Sequence, residues 1–174
     1  MSGNLRPALF LDRDGVINYD YGYVFQKDKF HFLDAIFDFV RYFYEKNYHI
    51  FVITNQSGIA RGYYGEKEFS EISKYMLKKF KENGVEISKI YHCPCHPDFS
   101  EICECRKPKP AMLDQATSEF NIDLKSSILV GDNQKDIQAG ESAGVKYNYL
   151  LDLENMNFDN ILNNYLSKVN IWVF

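Results

Sequence analysis

Two groups of carboxylates stand where apolar segments end. Leu9-Phe10-Leu11 runs into Asp12, Arg13, Asp14 and Gly15, and Leu129-Val130 runs into Gly131, Asp132 and Asn133, with Asp136 close behind. Taken alone, either group reads equally well as a polar strand terminus followed by a turn. Together they imply chemistry. Carboxylates brought to one place repel one another unless a hard divalent cation sits among them, and Mg2+ takes a few such oxygens together with water and phosphate. Two further segments supply what phosphate requires. Thr54-Asn55-Gln56-Ser57-Gly58 offers a hydroxyl, amides and free backbone donors, and Arg106-Lys107-Pro108-Lys109-Pro110 brings cations just ahead of a helix that a proline can open. A lone lysine is ordinarily a solvated surface charge. Lys107, set between a cysteine cluster and a proline, is far more constrained.

All four cysteines fall between Cys93 and Cys105, as Cys93-Pro94-Cys95-His96 and Cys103-Glu104-Cys105. Two closely spaced pairs joined by a short loop fit tetrahedral Zn2+ held by four thiolates, a structural site with no open coordination position. Zinc is expected over free thiols, and disulfides rank last in a reducing compartment. The ligand set is Cys93, Cys95, Cys103 and Cys105, with His96 in place of Cys95 as the alternative. Either way the last ligand immediately precedes Arg106 and Lys107.

The elements that must position these groups are visible in the hydropathy pattern. Apolar runs at Ala8–Leu11, His49–Thr54, Ser88–His92, Ser127–Val130 and Lys146–Leu150 predict strands. Helical periodicity covers Asp34–Lys46, Glu66–Asn83, Pro110–Phe120 and Gln134–Ala143. Strands alternating with helices predict an α/β fold: a three-layer, Rossmann-like parallel sheet with helices on both faces. Such a sheet binds its ligands at the carboxyl ends of its strands, which is where Asp12, Thr54, Cys93 and Asp132 fall. Leu153 to Phe174 is expected to add a final helix and a short strand.

A chain of 174 residues, 45% hydrophobic and 25% charged, suits one domain over residues 1–174, with the zinc loop at 93–105. With 20 Lys+Arg against 24 Asp+Glu, the net charge of −4 gives no footprint for nucleic acid. No apolar run approaches the roughly 20 residues of a membrane span, and Met1–Pro7 lacks the apolar core of a secretion signal. A cytoplasmic monomer acting on a small molecule is the expectation. The high aromatic content, 13 Tyr and 14 Phe, is assigned to core packing, with Tyr21 and Tyr23 set apart because they follow the first acidic group.

Asp12-x-Asp14-Gly15, Thr54, Lys107 before a proline, and Gly131-Asp132-x-x-x-Asp136 together resemble the four motifs of the haloacid dehalogenase superfamily of phosphohydrolases, in order and across most of the chain. Asp20-Tyr21-Gly22-Tyr23-Val24, Thr54 through Gly62, the cysteine cluster and Cys105-Arg106-Lys107-Pro108-x-Pro110-x-Met112 narrow the resemblance to its sugar-bisphosphate phosphatases, with histidinol phosphatases sharing the zinc loop. In those relatives the second zinc ligand is usually His, where this chain has Cys95.

The resemblance implies that Asp12 is the nucleophile and Asp14 the general acid and base. It implies that Thr54 and Lys107 grip the phosphoryl oxygens, that Asp12, the Asp14 main chain and Asp132 hold catalytic Mg2+, and that Asp136 orients Lys107 or a metal-bound water. No insertion between Gly15 and Asp34, or between Thr54 and Lys107, is long enough for a folded cap. Recognition of a sugar bisphosphate then falls to Asp20, Tyr21, Gly22, Tyr23, Asn55, Gln56, Ser57 and Asn133, with Arg106 for the second phosphate. Histidinol-phosphate hydrolysis, or a zinc-stabilised binding module without catalysis, are the readings to set against this one.

Overall fold

The computed structural model describes residues 5–100 and 102–169. Five parallel strands, β1 (Ala8–Leu11), β2 (His49–Asn55), β3 (Lys89–Cys93), β4 (Ile128–Gly131) and β5 (Tyr147–Leu150), form one sheet in the order β3-β2-β1-β4-β5. Five helices accompany them: α1 (Ile36–Glu45), α2 (Glu66–Glu82), α3 (Ala111–Glu119), α4 (Gln134–Ala143) and α5 (Phe158–Lys168). The predicted strands and helices are all present, with ends shifted by a residue or two. The shift at α1 has a local cause, since Ala35 sits in the left-handed region at φ 63° and the helix begins only after it. The tail supplies α5 as expected. The short strand expected at its end falls outside the described residues.

Side chains of successive strand residues leave opposite faces of the sheet, so each strand feeds two cores. Leu9, Leu11, Ile50, Val52, Ile128 and Val130 pack with α1, α2 and α5. Ala8, Phe10, Phe51, Ile53 and Leu129 pack with α3 and α4. Because both faces are covered, the central strands read as continuous apolar runs, and all four residues of β1 are buried. Most of the tyrosines and phenylalanines belong to these layers. Phe51 stacks against Phe10 at 5.4 Å, and Phe39 of α1 meets Phe158 of α5 at 4.8 Å.

Register decides what meets at the carboxyl edge. Leu11 pairs with Val52 and Val130, Asn55 with Cys93, and Gly131 with Leu150. Asp12, Asn55, Pro94 and Asp132 therefore emerge side by side. Residues 16–33 contain a single 3-10 turn, Lys27–Lys29, and an isolated bridge between Asn18 and Phe32, and residues 94–110 only the cysteine loop, so among the described residues no folded cap covers this edge.

Candidate active site

At the bottom of the edge lies a buried cation between carboxylates. Lys107 is 3% exposed. Its Nζ donates to Asp12 Oδ1 at 2.8 Å and to the Ile53 carbonyl at 2.7 Å, and pairs with Asp136 Oδ1 at 2.6 Å. An ammonium has three donors, and all three are used. Asn55 fixes the backbone that carries it: its Oδ1 accepts from Lys107 N at 3.1 Å and its Nδ2 donates to Lys107 O at 3.3 Å. Asp136 serves two elements at once. Its Oδ2 accepts from Asn133 N at 3.0 Å, closing the capping box of α4, while Oδ1 holds Lys107.

Charge at this spot does not balance. Carboxylate oxygens of Asp12, Asp132 and Asp136 lie within 4.8 Å of one another, and three negative charges against the one of Lys107 leave −2. Burial pushes the Asp12 carboxyl up to about 7; Lys107 opposes this, and Asp136 and Asp132 add to it. Asp132 is pushed up to about 6 by burial and by Asp136. Burial works against the charge on Lys107, but Asp12 and Asp136 outweigh it and hold its pKa above the ordinary value. A hard divalent cation neutralises the surplus, so the donor set fits Mg2+.

Asp14 faces elsewhere. Arg13, 1% exposed, forks onto both of its oxygens, with Nη2 at 2.7 Å from Oδ2. Asn18 Nδ2 donates to Oδ1 at 2.9 Å and Gln56 Nε2 to Oδ2 at 3.0 Å. The turn that sends Asp14 into this cage requires Gly15, whose φ is +85° and whose missing Cβ would lie on the Asp132 carboxylate.

Above these groups opens a cleft of about 300 Å³. It gathers Asp12, Asp14, Thr54, Lys107, Asp132 and Asp136, and of the residues assigned to substrate it collects Asp20, Gly22, Tyr23, Asn55, Gln56, Ser57, Arg106 and Asn133. Tyr21 does not join them. It is 59% exposed, its ring lies against Tyr19 and His31, and it lines a neighbouring groove. The structure adds Lys135 and Tyr64 to the cleft, and Arg13 behind it. Arg13 carried a signal in sequence, a charged residue caught between two carboxylates after a buried strand. Lys135 lies within the Gly131-Asp132-x-x-x-Asp136 motif at one of its unspecified positions, and Tyr64 carried no signal, because nothing in its own neighbourhood ties it to the acidic residues. Arg106 stands at the rim with a buried Nη1 that has no hydrogen-bond partner among the described residues. Burial and the nearby Arg61 both pull its pKa down.

The cysteine loop folds against the α3–α4 core. All four sulfurs lie within 4.8 Å of one another. The sequence favours thiolates over disulfides, whereas here Cys93 is joined to Cys105 and Cys95 to Cys103. Three of the other four separations are 3.4 Å for Cys93–Cys95, 3.5 Å for Cys95–Cys105 and 4.0 Å for Cys93–Cys103. Four sulfurs converging this closely fall within bonding reach of one another. The same convergence suits zinc, for which Zn–S bonds of about 2.3 Å place tetrahedral ligands about 3.8 Å apart. His96 is outside the cluster, with Nε2 3.1 Å from Arg61 Nη2.

An aspartate directly after β1 at the centre of a parallel sheet, an acidic β4 terminus beside it and a buried lysine between them are the arrangement of the haloacid dehalogenase class of hydrolases. The HAD-hydrolase-like family model matches residues 104–150. A Campylobacter jejuni D-glycero-α-D-manno-heptose-1,7-bisphosphate 7-phosphatase is 54% identical over 138 residues, 79% of this chain and 78% of that one. A Yersinia pestis D-glycero-β-D-manno-heptose-1,7-bisphosphate 7-phosphatase is 46% identical over 144 residues, 80% and 77% of the two chains. The crystal structure of a B. bronchiseptica D,D-heptose 1,7-bisphosphate phosphatase complexed with magnesium and phosphate superposes with a TM-score of 0.78 at 28% identity, covering 93% of this chain and 86% of that one. The chain belongs to this family of haloacid dehalogenase-type phosphatases, and is a phosphoric monoester hydrolase.

Proposed function

We propose that the protein removes the 7-phosphate of D-glycero-D-manno-heptose 1,7-bisphosphate in the assembly of nucleotide-activated heptose. The observation that carries this reading is the buried Lys107, which holds Oδ1 of Asp12 at the base of a polar cleft and leaves Oδ2 without a hydrogen-bond partner among the described residues. The names of the relatives supply the substrate.

Asp12 Oδ2 attacks phosphorus in line, and the bond from phosphorus to the C7 oxygen breaks as Asp14, which enters this step protonated and turned out of the Arg13 fork, gives that oxygen its proton. Asp14 then takes a proton from water, which attacks the aspartyl phosphate and releases inorganic phosphate and the Asp12 carboxylate. Thr54 and Lys107 hold the phosphoryl oxygens, Lys107 by turning one of its three donors from a carboxylate to the incoming phosphate, and such positioning accounts for most of the catalysis in phosphoryl transfer. Asp12, Asp132 and the Asp14 main chain are the residues that would hold Mg2+, which when bound neutralises charge on the transferring group. The unpartnered Nη1 of Arg106, next to Arg61, suits the second phosphate. We assign Zn2+ to Cys93, Cys95, Cys103 and Cys105 as a structural ion that takes the place of the two disulfides when all four are reduced to thiolates, supported by the convergence of the four sulfurs and by His96 lying outside the cluster.

The working unit is taken to be the monomer in the cytoplasm. One chain supplies every group named, and no helix among the described residues is long and apolar enough to cross a membrane.

The test is phosphate release from the α and β anomers of heptose 1,7-bisphosphate, from fructose 1,6-bisphosphate and from histidinol phosphate, with Mg2+ and with chelator. A heptose bisphosphate should be turned over best, only with Mg2+, and Asp12→Asn should abolish turnover while keeping the fold. Preference for histidinol phosphate by orders of magnitude would refute the substrate assignment, and full activity of Asp12→Asn would refute the aspartyl phosphate.

A further inference from the structure

Gln56 occupies an odd position for a residue that meets substrate. It is 2% exposed, and every polar atom of its side chain is already engaged. Nε2 donates to Thr54 Oγ1 at 2.8 Å and to Asp14 Oδ2 at 3.0 Å, and Oε1 accepts from the hydroxyl of the buried Tyr64. An amide nitrogen only donates. Thr54 Oγ1 must therefore be the acceptor, and no other partner of that hydroxyl exists among the described residues. Its own O–H hydrogen is left to point into the cleft. Rotated by half a turn, the amide would set Oε1 against the Asp14 carboxylate and turn Nε2 towards Tyr64. The Tyr64 hydroxyl, donating to Oε1, favours the orientation observed.

We infer that Tyr64 is a positioning residue for phosphoryl transfer: through Gln56 it fixes the Thr54 hydroxyl as a donor towards the transferred phosphate and, with the same amide, holds the Asp14 carboxyl. This deepens the proposed function and rests on the roles given there to Thr54 and Asp14. Tyr64 reaches Gln56 because position 58 is a glycine, since a Cβ there would strike the Tyr64 ring. The ring stacks on Phe25 at 4.9 Å, so a phenylalanine can fill the same space and remove only the hydroxyl.

Tyr64→Phe is expected to keep the fold, with a melting temperature lowered by only a few degrees because Gln56 Oε1 loses its donor, to keep KM within twofold, and to lose about three- to tenfold in kcat, the loss of one neutral hydrogen bond acting on the transition state. In a Gln56→Met background the same change is expected to cost nothing further, because the amide it orients is gone. Wild-type kcat in Tyr64→Phe beside an inactive Thr54→Val would overturn the inference alone, as would a loss confined to KM or one that persists undiminished in Gln56→Met. Full turnover by Thr54→Val would overturn the functional reading and this inference with it.

Discussion

The three donors of Lys107 are taken by Asp12, Asp136 and the Ile53 carbonyl, so one buried cation faces more carboxylate than it can neutralise. The consequence is a pH dependence with a definite sign. Without metal, Asp12 is lifted from 3.8 to about 7 and Asp132 from 3.8 to about 6, in each case first by burial. Across those windows the folded protein holds protons that the unfolded chain releases, so the stability these groups contribute is lost as pH rises from 3.8 towards 7. Mg2+ displaces those protons. The rise in melting temperature on adding Mg2+ should accordingly be larger at pH 7.5 than at pH 5, as thermal unfolding at matched ionic strength will show. An equal rise at both pH values would mean that the ion does not sit on Asp12 and Asp132.

At the scale of elements, the loop from Pro94 to Pro110 connects β3 to α3 and delivers Lys107 across the sheet edge. Its described residues form no helix or strand, so its course depends on a few ties: the sulfur cluster, the paired hydrogen bonds between Asn55 and Lys107, and the ion pair of Lys109 with Glu104 at 2.8 Å. The last of these is solvent-exposed and adds little. Cys105→Ser, or stripping zinc with a strong chelator, should lower kcat at least tenfold, and readdition of zinc should restore it only where all four cysteines remain. Metal analysis by mass spectrometry alongside the assay checks both points. Full activity in protein shown to be zinc-free would leave the loop held by disulfides or by packing alone. Helix α4 is a contrasting case. Its first turn is fixed by the same Asp136 that holds Lys107, so the cap of the helix and the floor of the site stand or fall together.

Over the whole molecule, stability and chemistry occupy different parts of the same sheet. Phe51, fully buried, lies 5.4 Å from Phe10, 5.0 Å from Phe120 and 6.0 Å from Tyr91 by ring centroid, on the α3–α4 side. Truncation there leaves a cavity that close-packed neighbours only partly fill, so Phe51→Ala should cost about 3–5 kcal/mol of unfolding free energy. Active-site residues begin at the far end of β2, so kcat per folded molecule should change little. Denaturant unfolding read against active-site titration separates the two quantities. A loss of kcat as large as that of an active-site variant would mean that the core sets the geometry of the edge.

Periodicity along the chain was enough to specify the α/β class, the five strands and the carboxyl edge as the place for Asp12, Thr54 and Asp132, because side-chain burial in strands and helices follows fixed repeats. Residue chemistry likewise marked Lys107 and the four cysteines, since a cation fixed beside a proline and two closely spaced cysteine pairs seldom serve packing alone. What only the tertiary structure decided concerns partners distant in sequence. Asp136 and Asp12 share one ammonium, Asn55 clamps the backbone of Lys107, Tyr64 and Gln56 reach both Thr54 and Asp14, and Tyr21 falls outside a cleft its neighbours line. None of these follows from local pattern. Each depends on the lateral order of strands and on the path of loops across the sheet edge, and a hydrogen bond is settled by tenths of an ångström that no spacing along the chain encodes.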